Sequence, residues 1–375
     1  MDRCRLALVA AGLLTLVAAC GKVTPRTETS TVPPATTSAP VSTSSPPATA
    51  IPRDFRAVSV TFVSAQSGWV VGTTPCVGTC PPVLLRTDDG GQDWRRVASP
   101  PIGNGTTVQS VRFADTHDGW VTTDDTVWAT HDGGAHWERP VFPGVPSGDR
   151  VSDVEAAAGT VHAVFSGPPV QIATSPVHRD DWTLSPTTLV GGAGPVPHEQ
   201  IVLQGRDGWI IEVDRVVIAG ARLDNGAWVP WNPPCLRAGG PADLAASDPV
   251  HLVALCGEGV YSESGQATVS SFSSDGGATF QPGPAPLSLS SFGPMASPAV
   301  GDAIVGEGSN GDLIGTFDSG QTWTILYRPP SPETWQYLGF TTAGQGIAIE
   351  VGGIMLMTFD GGHDWAPVDF SHGEA

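Results

Sequence analysis

The sequence predicts an all-β protein and, more specifically, a seven-bladed β-propeller. The first observation is a phrase of eight residues, Ser/Thr-x-Asp-x-Gly-x-x-Trp/Phe, which recurs between Thr87 and Trp365 at a period of roughly forty to fifty residues. The second is that apolar stretches typical of short strands precede most copies. The third is that no long stretch has apolar residues at the 3.6-residue period of an amphipathic helix. A repeat of about four strands is typical of a propeller blade.

Five copies of the phrase are clear, and they begin at Thr87, Thr130, Ser273, Thr316 and Thr358. Two worn copies, Thr174 to Trp182 and Leu223 to Trp228, lie where the period predicts them but have lost the Asp, the Gly or the spacing. Seven units is therefore the natural count.

The residue types of the phrase are those of a tight turn. Oxygen atoms of the Ser/Thr and Asp side chains accept backbone N–H bonds within such a turn, and the Gly takes the positive φ that a side chain resists. The trailing Trp or Phe then opens the next strand and can pack on a neighbouring unit. We therefore expect five structural residues in these Asp-containing hairpins: Asp89, Asp132, Asp275, Asp318 and Asp360.

A second repeated signal is a small turn followed by an apolar strand. It begins at Gly68, Gly119 and Gly208, each followed by Trp, with a weaker echo at Gly346. Together with the phrase, this signal predicts that each unit contains three or four short strands joined by hairpins. The Trp residues at the two repeat positions are expected in the core.

The phrase resembles the Asp box, or BNR repeat, and its pairing with Gly-Trp-Val strands resembles the Ycf48-like propellers of the photosystem II assembly factor group. The resemblance covers residues from about Phe55 to Phe370 and implies seven blades. It implies no particular activity, because Asp boxes also occur in sialidases, xyloglucan hydrolases and sortilin-type receptors. In Ycf48 relatives a patch of arginines on one face meets a photosystem subunit. A photosynthetic role is not carried over, because the arginines here are dispersed, for instance Arg95, Arg96, Arg112 and Arg139.

The N-terminus predicts export and a lipid anchor. Arg3 and Arg5 precede the apolar run Leu6 to Val17, which is short for a bilayer span and typical of a signal peptide. Cys20 follows Val-Ala-Ala, which resembles a bacterial lipobox and implies cleavage before Cys20 and acylation of its thiol. An ordinary secretory peptide with an incidental Cys is the alternative. Two or three acyl chains hold a protein stably on a membrane, whereas a single chain gives only reversible binding.

These signals divide the chain into three parts. Residues 1–19 are expected to be the lipoprotein signal peptide, 20–52 the lipidated Cys with a disordered Thr/Ser/Pro-rich linker, and 53–375 the β-propeller domain. The linker has almost nothing apolar enough to build a core, and its hydroxyls could carry sugars or be bare. The expected location is the extracytoplasmic side of the cell membrane.

The charge balance excludes one class of partner. The sequence has 18 Lys plus Arg and 37 Asp plus Glu, which gives a formal net charge of −19. Such a surface repels the phosphate backbone of nucleic acids, so no nucleic-acid partner is expected. We expect instead an exported or membrane protein as the partner of a chain that is itself monomeric.

Four cysteines lie beyond Cys20: Cys76, Cys80, Cys235 and Cys256. An even number in an exported domain predicts disulfides, and three connectivities are possible. We favour the local pairs, Cys76 with Cys80 and Cys235 with Cys256. A zinc site is the competing interpretation, but the C-x2-C spacing is missing and no His lies close in sequence to either pair. No metal or cofactor is therefore expected.

No catalytic site is expected, and the sialidase site is the first to test. That family uses three arginines, a Tyr nucleophile supported by a Glu, and an Arg-Ile-Pro motif ahead of its first Asp box. Residues 51–56 read Ile-Pro-Arg-Asp-Phe-Arg and lack that order, and the sequence places none of Tyr261, Tyr327 and Tyr337 beside an identifiable Glu. The sequence also contains no nucleophile elbow, phosphate loop or zinc-protease helix motif.

Acidic residues outside the phrases are compatible with a second kind of enzyme, a glycosidase. Enzymes with a carboxylate pair need two acids across a cleft, and Glu212, Glu333 and Glu350 are the freer acids. Residues 306–312 offer oxygen ligands that could hold calcium. Because they lack the twelve-residue loop pattern, an ordinary hairpin turn is favoured there.

The leading functional hypothesis is a noncatalytic, lipid-anchored, extracytoplasmic propeller that acts as a protein-binding or envelope-assembly scaffold. The alternative is a glycan-directed protein, either a glycosidase with a carboxylate pair or a carbohydrate-binding module. Trp335 and Tyr337 break the repeat pattern and could lie on a face that stacks sugars, although packing explains them at least as well. A third possibility is that the domain is only a spacer.

Overall fold

The structure is a computed structural model that describes residues 50–75, 81–103, 106–191, 198–236, 239–262, 265–284, 287–289 and 291–370. These residues belong to one compact unit, Pro46–Ala375. They form 28 β-strands and no α-helix, and so none of them contributes to a helix that could cross a membrane. The sequence predictions for residues 1–49, including Cys20, and for Cys76 and Cys80 fall outside the described residues.

Seven antiparallel sheets follow one another along the chain, which confirms the predicted all-β, seven-bladed propeller. Blades 1 to 3 contain β1 (Arg56–Phe62), β2 (Gly68–Thr73), β3 (Val83–Thr87), β4 (Arg95–Val97), β5 (Val108–Phe113), β6 (Gly119–Thr123), β7 (Val127–Thr130), β8 (Arg150–Ala157), β9 (Thr160–Ser166), β10 (Gln171–Pro176) and β11 (Thr183–Leu184). Blade 2 has three strands, and an isolated bridge between Ala129 and Glu138 stands where the fourth would pair.

The remaining four blades have four strands each, and in blade 5 an extra strand, β20, also pairs with β18. Blades 4 and 5 contain β12 (His198–Gln204), β13 (Asp207–Asp214), β14 (Val216–Asp224), β15 (Ala227–Pro230), β16 (Gly239–Ala246), β17 (Leu252–Ser262), β18 (Gly265–Ser273), β19 (Gln281–Pro282) and β20 (Leu287–Leu289). Blades 6 and 7 contain β21 (Phe292–Ala296), β22 (Ala303–Glu307), β23 (Leu313–Thr316), β24 (Thr324–Tyr327), β25 (Trp335–Phe340), β26 (Gly346–Glu350), β27 (Met355–Thr358) and β28 (Ala366–Pro367).

The first strand of every blade lies at the centre of the ring. These inner strands contact one another in turn, and the ring closes where β25 and β26 of blade 7 meet β1 of blade 1. There the Gln336 side chain donates to the carbonyl oxygen of Ala57 at 3.0 Å, and the Ala57 N–H donates to the carbonyl oxygen of Gly353 at 3.1 Å. The first and last blades are thus joined by noncovalent contacts between two complete sheets.

Apolar side chains fill the spaces between neighbouring blades. Trp69 of blade 1 stacks on Phe113 of blade 2, with 3.9 Å between ring centroids. The Trp residues that follow the small Gly turn are almost fully buried, as their repeat position predicts: Trp69, Trp120 and Trp209. Trp335 is also buried, so it packs in the core instead of lying on a face.

The eight-residue phrase is the hairpin between the third and fourth strands of a blade. Its first residue ends the third strand in the five clear copies, and the worn copies fall on the third strands of blades 3 and 4. In the first copy, the Thr87 hydroxyl donates to Asp89 Oδ1 at 2.7 Å and accepts from the Gly91 N–H at 2.9 Å. Asp89 Oδ1 also accepts from the backbone N–H groups of Gln92 and Asp93.

The other four clear copies repeat this turn. Their Ser or Thr hydroxyls donate to the phrase Asp over 2.8 to 3.0 Å, so each of these carboxylates is an acceptor within its own turn: Asp132, Asp275, Asp318 and Asp360. The Gly at the fifth position of the phrase has a φ between 78° and 96° in every clear copy. This is the left-handed region in which a Cβ would be strained, as the sequence predicts.

The phrases mark one face of the ring. They fold over the loops between first and second strands. For instance, the Gly90 N–H donates to the carbonyl oxygen of Gln66 at 2.8 Å, and the Gly361 N–H donates to the carbonyl oxygen of Gly344 at 2.9 Å. We call the face made by these two sets of loops the phrase face. The opposite face contains the loops between second and third strands and between blades. We call it the entry face, because residues 50–55 lead there into β1.

A disulfide joins Cys235, in the loop after blade 4, to Cys256, in the second strand of blade 5. Their Cα atoms are 5.2 Å apart. This bond is one of the two local pairs that the sequence favours. It fastens an entry-face loop to the neighbouring blade.

Candidate functional site

Acidic side chains are concentrated on the phrase face. Among the described residues, its loops carry two arginines, Arg179 and Arg206. The same loops carry fourteen aspartates: Asp88, Asp89, Asp93, Asp115, Asp118, Asp132, Asp180, Asp181, Asp248, Asp275, Asp302, Asp318, Asp360 and Asp364. A cationic partner would therefore be attracted to this face.

The entry face is much closer to neutral. In the described part of the chain, its loops contain four arginines: Arg53, Arg139, Arg215 and Arg328. They contain seven acids: Asp54, Asp124, Asp125, Asp149, Asp312, Glu333 and Asp369. The negative charge of the propeller loops is thus distributed unequally between the two faces.

The phrase carboxylates keep their charge because the turn stabilises the ionised form. Slight burial opposes ionisation of Asp132, but hydrogen bonds from the backbone and side chain of His136 outweigh it and lower the pKa of Asp132 to about 2. Hydrogen bonds from Thr279 and Ser273 lower the pKa of Asp275 to about 2. The charge that the fold requires in these turns is therefore also presented to solvent at neutral pH.

A cavity of about 540 Å³ lies at the centre of the ring, lined by the inner strands of blades 2 to 7. Its lining includes Ser247, Ser297 and Thr342, which belong to phrase-face loops. The cavity therefore extends to the acidic face. A side chain of a partner bound on that face could enter it.

Arg112 of β5 supplies a positive charge inside the cavity. Its guanidinium forms an ion pair with Glu155 of β8, donates to Ser59 Oγ at 3.1 Å and lies over the Tyr337 ring, with its Cζ 5.4 Å from the centroid. Burial raises the pKa of the neighbouring Asp153, and the charge of Glu155 adds to the rise while Arg112 opposes it. Tyr337 thus lines the central cavity, where its ring packs against the Arg112 guanidinium, and it does not lie on an outer face.

Gln200 of blade 4 lines the cavity, and its side chain forms a second polar group with Asp243 of blade 5. The Gln200 side-chain amide donates to Asp243 Oδ1 at 2.7 Å, and its carbonyl oxygen accepts from the Leu244 N–H at 3.0 Å. Burial raises the pKa of Asp243 to about 7, although the Gln200 bond opposes the rise. The carboxyl groups in and next to the cavity wall are therefore already bonded to protein groups.

Glu212, Glu333 and Glu350, the acids that the sequence does not assign to turns, do not gather in this cavity. Glu212 and Glu350 are at most 2 % exposed, in the second strands of blades 4 and 7, and Glu333 lies on the entry face. Burial raises the pKa of Glu350, and Glu333 raises it further. Burial and then Glu350 raise the pKa of Tyr327, so this tyrosine lies near a Glu, as Tyr337 does near Glu155. Neither Tyr327 nor any of the three acids Glu212, Glu333 and Glu350 lines the cavity.

Residues 306–312 form the end of β22 and the turn into β23. Glu307 Oε2 accepts the Asn310 N–H at 2.6 Å, and Asp312 accepts two hydrogen bonds from the Arg328 guanidinium at 3.0 and 2.8 Å. The oxygen atoms considered for calcium thus bond within a hairpin and to an arginine. This is the turn that the sequence favours.

The sequence alone does not predict most of the polar residues in and next to the central cavity. In the sequence Arg112 is only one of several dispersed arginines, and no motif points to Asp153, Glu155, Gln200 or Asp243. The available signal was the position of these residues in the first strand of each blade. Asp153 and Glu155 are two residues apart in β8, so both point toward the same side of the strand.

No protein-family model matches the chain, and no curated protein matches it. Several solved structures share its fold. A structure described as Ycf48 bound to D1 peptide is 19 % identical over 82 % of this chain and 95 % of that one, with a TM-score of 0.58. Ycf48 from Cyanidioschyzon merolae is 16 % identical over 83 % of this chain and 97 % of that one, with a TM-score of 0.56.

A more distant structure, the WD40 β-propeller domain of Doa1, is 12 % identical over 82 % of this chain and 94 % of that one, with a TM-score of 0.54. Identities this low show the fold alone. In its fold, the chain is a seven-bladed β-propeller similar to Ycf48.

Proposed function

We propose that this protein is a noncatalytic, lipid-anchored scaffold on the extracytoplasmic side of the cell membrane. Its phrase face binds a positively charged segment of an exported or membrane protein. The observation that supports this proposal is the segregation of charge, with fourteen aspartates and two arginines in the phrase-face loops. Opposed charges steer association and fix the orientation of a partner.

The shape of the phrase face is compatible with such a partner. The central cavity extends to this face and offers space for a partner side chain that reaches inward. Val250, Val300 and Phe359 lie on the same face with 45 %, 57 % and 66 % of their surface exposed. They offer apolar contacts among the acids. Ycf48, which shares the fold, has been solved with a peptide bound.

The proposed anchor fits the point where the chain enters the propeller. Residues 50–55 lead into β1 on the entry face, where the Phe55 N–H donates to the Pro52 carbonyl oxygen and Arg56 donates to Gly352. A tether that begins at Cys20 therefore attaches opposite the phrase face. In cells, Cys20→Ala should move the chain from the membrane fraction to the soluble exported fraction. Membrane retention of this variant would contradict lipidation at Cys20.

Partner binding can be tested with two variants of equal charge change. Asp93, Asp181 and Asp364 are exposed on the phrase face and bond to their turns through backbone N–H groups, so their carboxylates can be changed without removing a turn contact. The triple change of these residues to Asn should reduce recovery of the native partner about tenfold, as expected for three exposed charges.

The matched control neutralises three acids of the entry face, through Asp54→Asn, Asp149→Asn and Glu333→Gln. Both triple variants are expressed as full chains in the native cells, crosslinked and purified, and the co-purified proteins are quantified. The proposal predicts a partner that is lost from the phrase-face variant and retained by the entry-face control. Equal recovery with both variants, or loss only with the control, would contradict it.

A glycan-directed protein is the second candidate, because the carboxyl group of Asp243, which bonds to the cavity residue Gln200, has a pKa raised to about 7. That pKa suits a general acid at neutral pH. Polysaccharide hydrolysis that disappears with Asp243→Asn would replace the scaffold proposal. If no polysaccharide is hydrolysed in a broad substrate screen, the scaffold proposal stands.

A further inference from the structure

A cluster of two carboxylates and an imidazole lies on the phrase face where blades 2 and 3 meet. Asp115 and Asp118 belong to the loop between β5 and β6, and His178 belongs to the loop between β10 and β11. One ligand atom from each of the three residues lies within 4.8 Å of the other two. We propose that this cluster binds a divalent transition-metal ion, for which Zn²⁺ is the probe, and that the ion ties the two blades together.

Asp118 is the fixed member of the cluster. Only 5 % of its side chain is exposed, and its two oxygen atoms face two different imidazoles. Oδ2 lies 2.5 Å from Nδ1 of His178, and Oδ1 lies 2.6 Å from Nδ1 of His131. His131 fixes the orientation of the buried Asp118 carboxylate, and the other carboxylate oxygen faces the exposed His178. Asp118 is therefore a preorganised ligand.

The groups around the cluster support its ligands in the way that metal sites require. Asp115 Oδ1 accepts the backbone N–H groups of His117 at 2.7 Å and Asp118 at 2.9 Å, which leaves its second oxygen for an ion. Nε2 of His131 lies 3.4 Å from a carboxylate oxygen of Asp180. Hydrogen bonds of this kind to the groups behind a ligand orient it and raise its basicity.

The donor set selects the class of ion. One imidazole nitrogen and two carboxylate oxygens suit zinc and its neighbours in the first transition row, whereas Ca²⁺ and Mg²⁺ prefer oxygen ligands alone. His178 has 73 % of its side chain exposed, so its ring can move outward to admit an ion that replaces the proton between it and Asp118. Water would complete the coordination.

The same face provides a matched control. His136 and Asp132 form a pair with 2.6 Å between nitrogen and oxygen, and 88 % of the His136 side chain is exposed. This pair lies within one phrase. A simple affinity of exposed His–Asp pairs for metal would therefore involve it equally. The cluster at the blade junction differs because it adds a second carboxylate and joins two blades.

The test is a calorimetric titration of the full chain, purified in detergent, with ZnCl₂ in a large excess of Mg²⁺. We expect one Zn²⁺ per chain, an affinity at least 100-fold weaker in His178→Ala, and unchanged binding in His136→Ala. His131→Ala, which removes only the support behind Asp118, should weaken binding about 10-fold or more. Thermal unfolding in Zn²⁺ should show a rise in Tm for the wild type that His178→Ala lacks.

Each alternative result contradicts the site. Absence of saturable binding would show that the residues form only hydrogen-bonded pairs. Binding that His178→Ala leaves unchanged would show a different site, and binding displaced by Mg²⁺ would show general attraction to an acidic surface. Because His178 is exposed, its loss should leave the circular dichroism spectrum unchanged; Asp115→Asn provides an independent second removal of a ligand.

Discussion

The two faces of the propeller are built in different ways. The phrase face repeats one solution: in five blades a Ser or Thr hydroxyl, an Asp carboxylate and a left-handed Gly close the same turn. The entry face uses contacts that occur once each, such as the Cys235–Cys256 disulfide and the pair between Arg328 and Asp312. A repeated fold can therefore have one regular face and one individual face.

The regular face is also the charged one, and the turn explains only part of that charge. Five of its aspartates occupy the third position of the phrase, where the turn needs them. Others, including Asp93, Asp181 and Asp364, contribute only their backbone N–H to a turn and leave their carboxylates exposed. Acids that the fold does not require are the better indication of a function for this face.

The largest expected effect on stability concerns the entry face. Cys235→Ser removes a crosslink that spans 21 residues and should lower the free energy of unfolding by about 3 kcal/mol in the chain-entropy model. Denaturant unfolding of the full chain measures the change. Cys256→Ser and the double variant should cost about as much as the single change, because each breaks the same bond. Additive losses would show that the bond does not form.

The next effect concerns the phrase turn. Thr316 is buried, and Thr316→Ala removes both its donation to Asp318 and its acceptance from the Gly320 N–H, at about 1 to 2 kcal/mol. Thr174 starts a worn copy that has lost the Asp, so Thr174→Ala is the matched control and should cost less in the same denaturant measurement. Equal costs would mean that the repeated turn does not stabilise the phrase face.

Acid should destabilise the phrase face specifically. Asp132 and Asp275 ionise near pH 2 in the folded chain instead of near 3.8, so their contribution is present above pH 3.8 and is lost as the pH falls toward 2. Asp132→Asn should therefore flatten the fall of Tm over this interval. A Tm profile that the substitution leaves unchanged would contradict the stabilisation of charge by the turn.

The last effect concerns Asp243, whose side chain lies behind the cavity residue Gln200. Asp243 has a pKa raised to about 7, so the folded state favours its neutral form, and stability is lost as the pH rises from about 4 through 7. Asp243→Asn should gain stability relative to the wild type on going from pH 4 to pH 8, because the amide has no charged form to disfavour. Guanidinium unfolding at the two pH values measures the gain. A penalty at pH 8 would show that a charged Asp243 is needed.

The sequence was most informative where the chain repeats. The phrase positions located the hairpin after the third strand of each blade, and the Gly-Trp signal located second strands that begin at Gly68 and Gly119. Local turn chemistry made both predictable. The residues of the central cavity were not predictable in this way, because Arg112 and Tyr337 come together across the ring only when the blades close.

The same limit applies to the junction of blades 2 and 3. His178 and Asp118 are sixty residues apart, and no local pattern connects them. The charge asymmetry of the faces also required the topology, since the acids lie in two sets of loops that the sequence alone does not bring to the same side. Periodicity thus predicted the scaffold, while contacts between blades produced the candidate sites.

The most direct test of the central claim is photocrosslinking from each face in native cells. A photoreactive phenylalanine analogue replaces Phe359 or Val300 on the phrase face, and Val351 or Ile354 on the entry face. These four positions have similar exposure, between 48 % and 66 %. The account predicts one reproducible protein adduct from the two phrase-face positions and none of that adduct from the entry-face positions. The same adduct from Val351 and Ile354 alone would contradict the assignment of the phrase face as the binding surface.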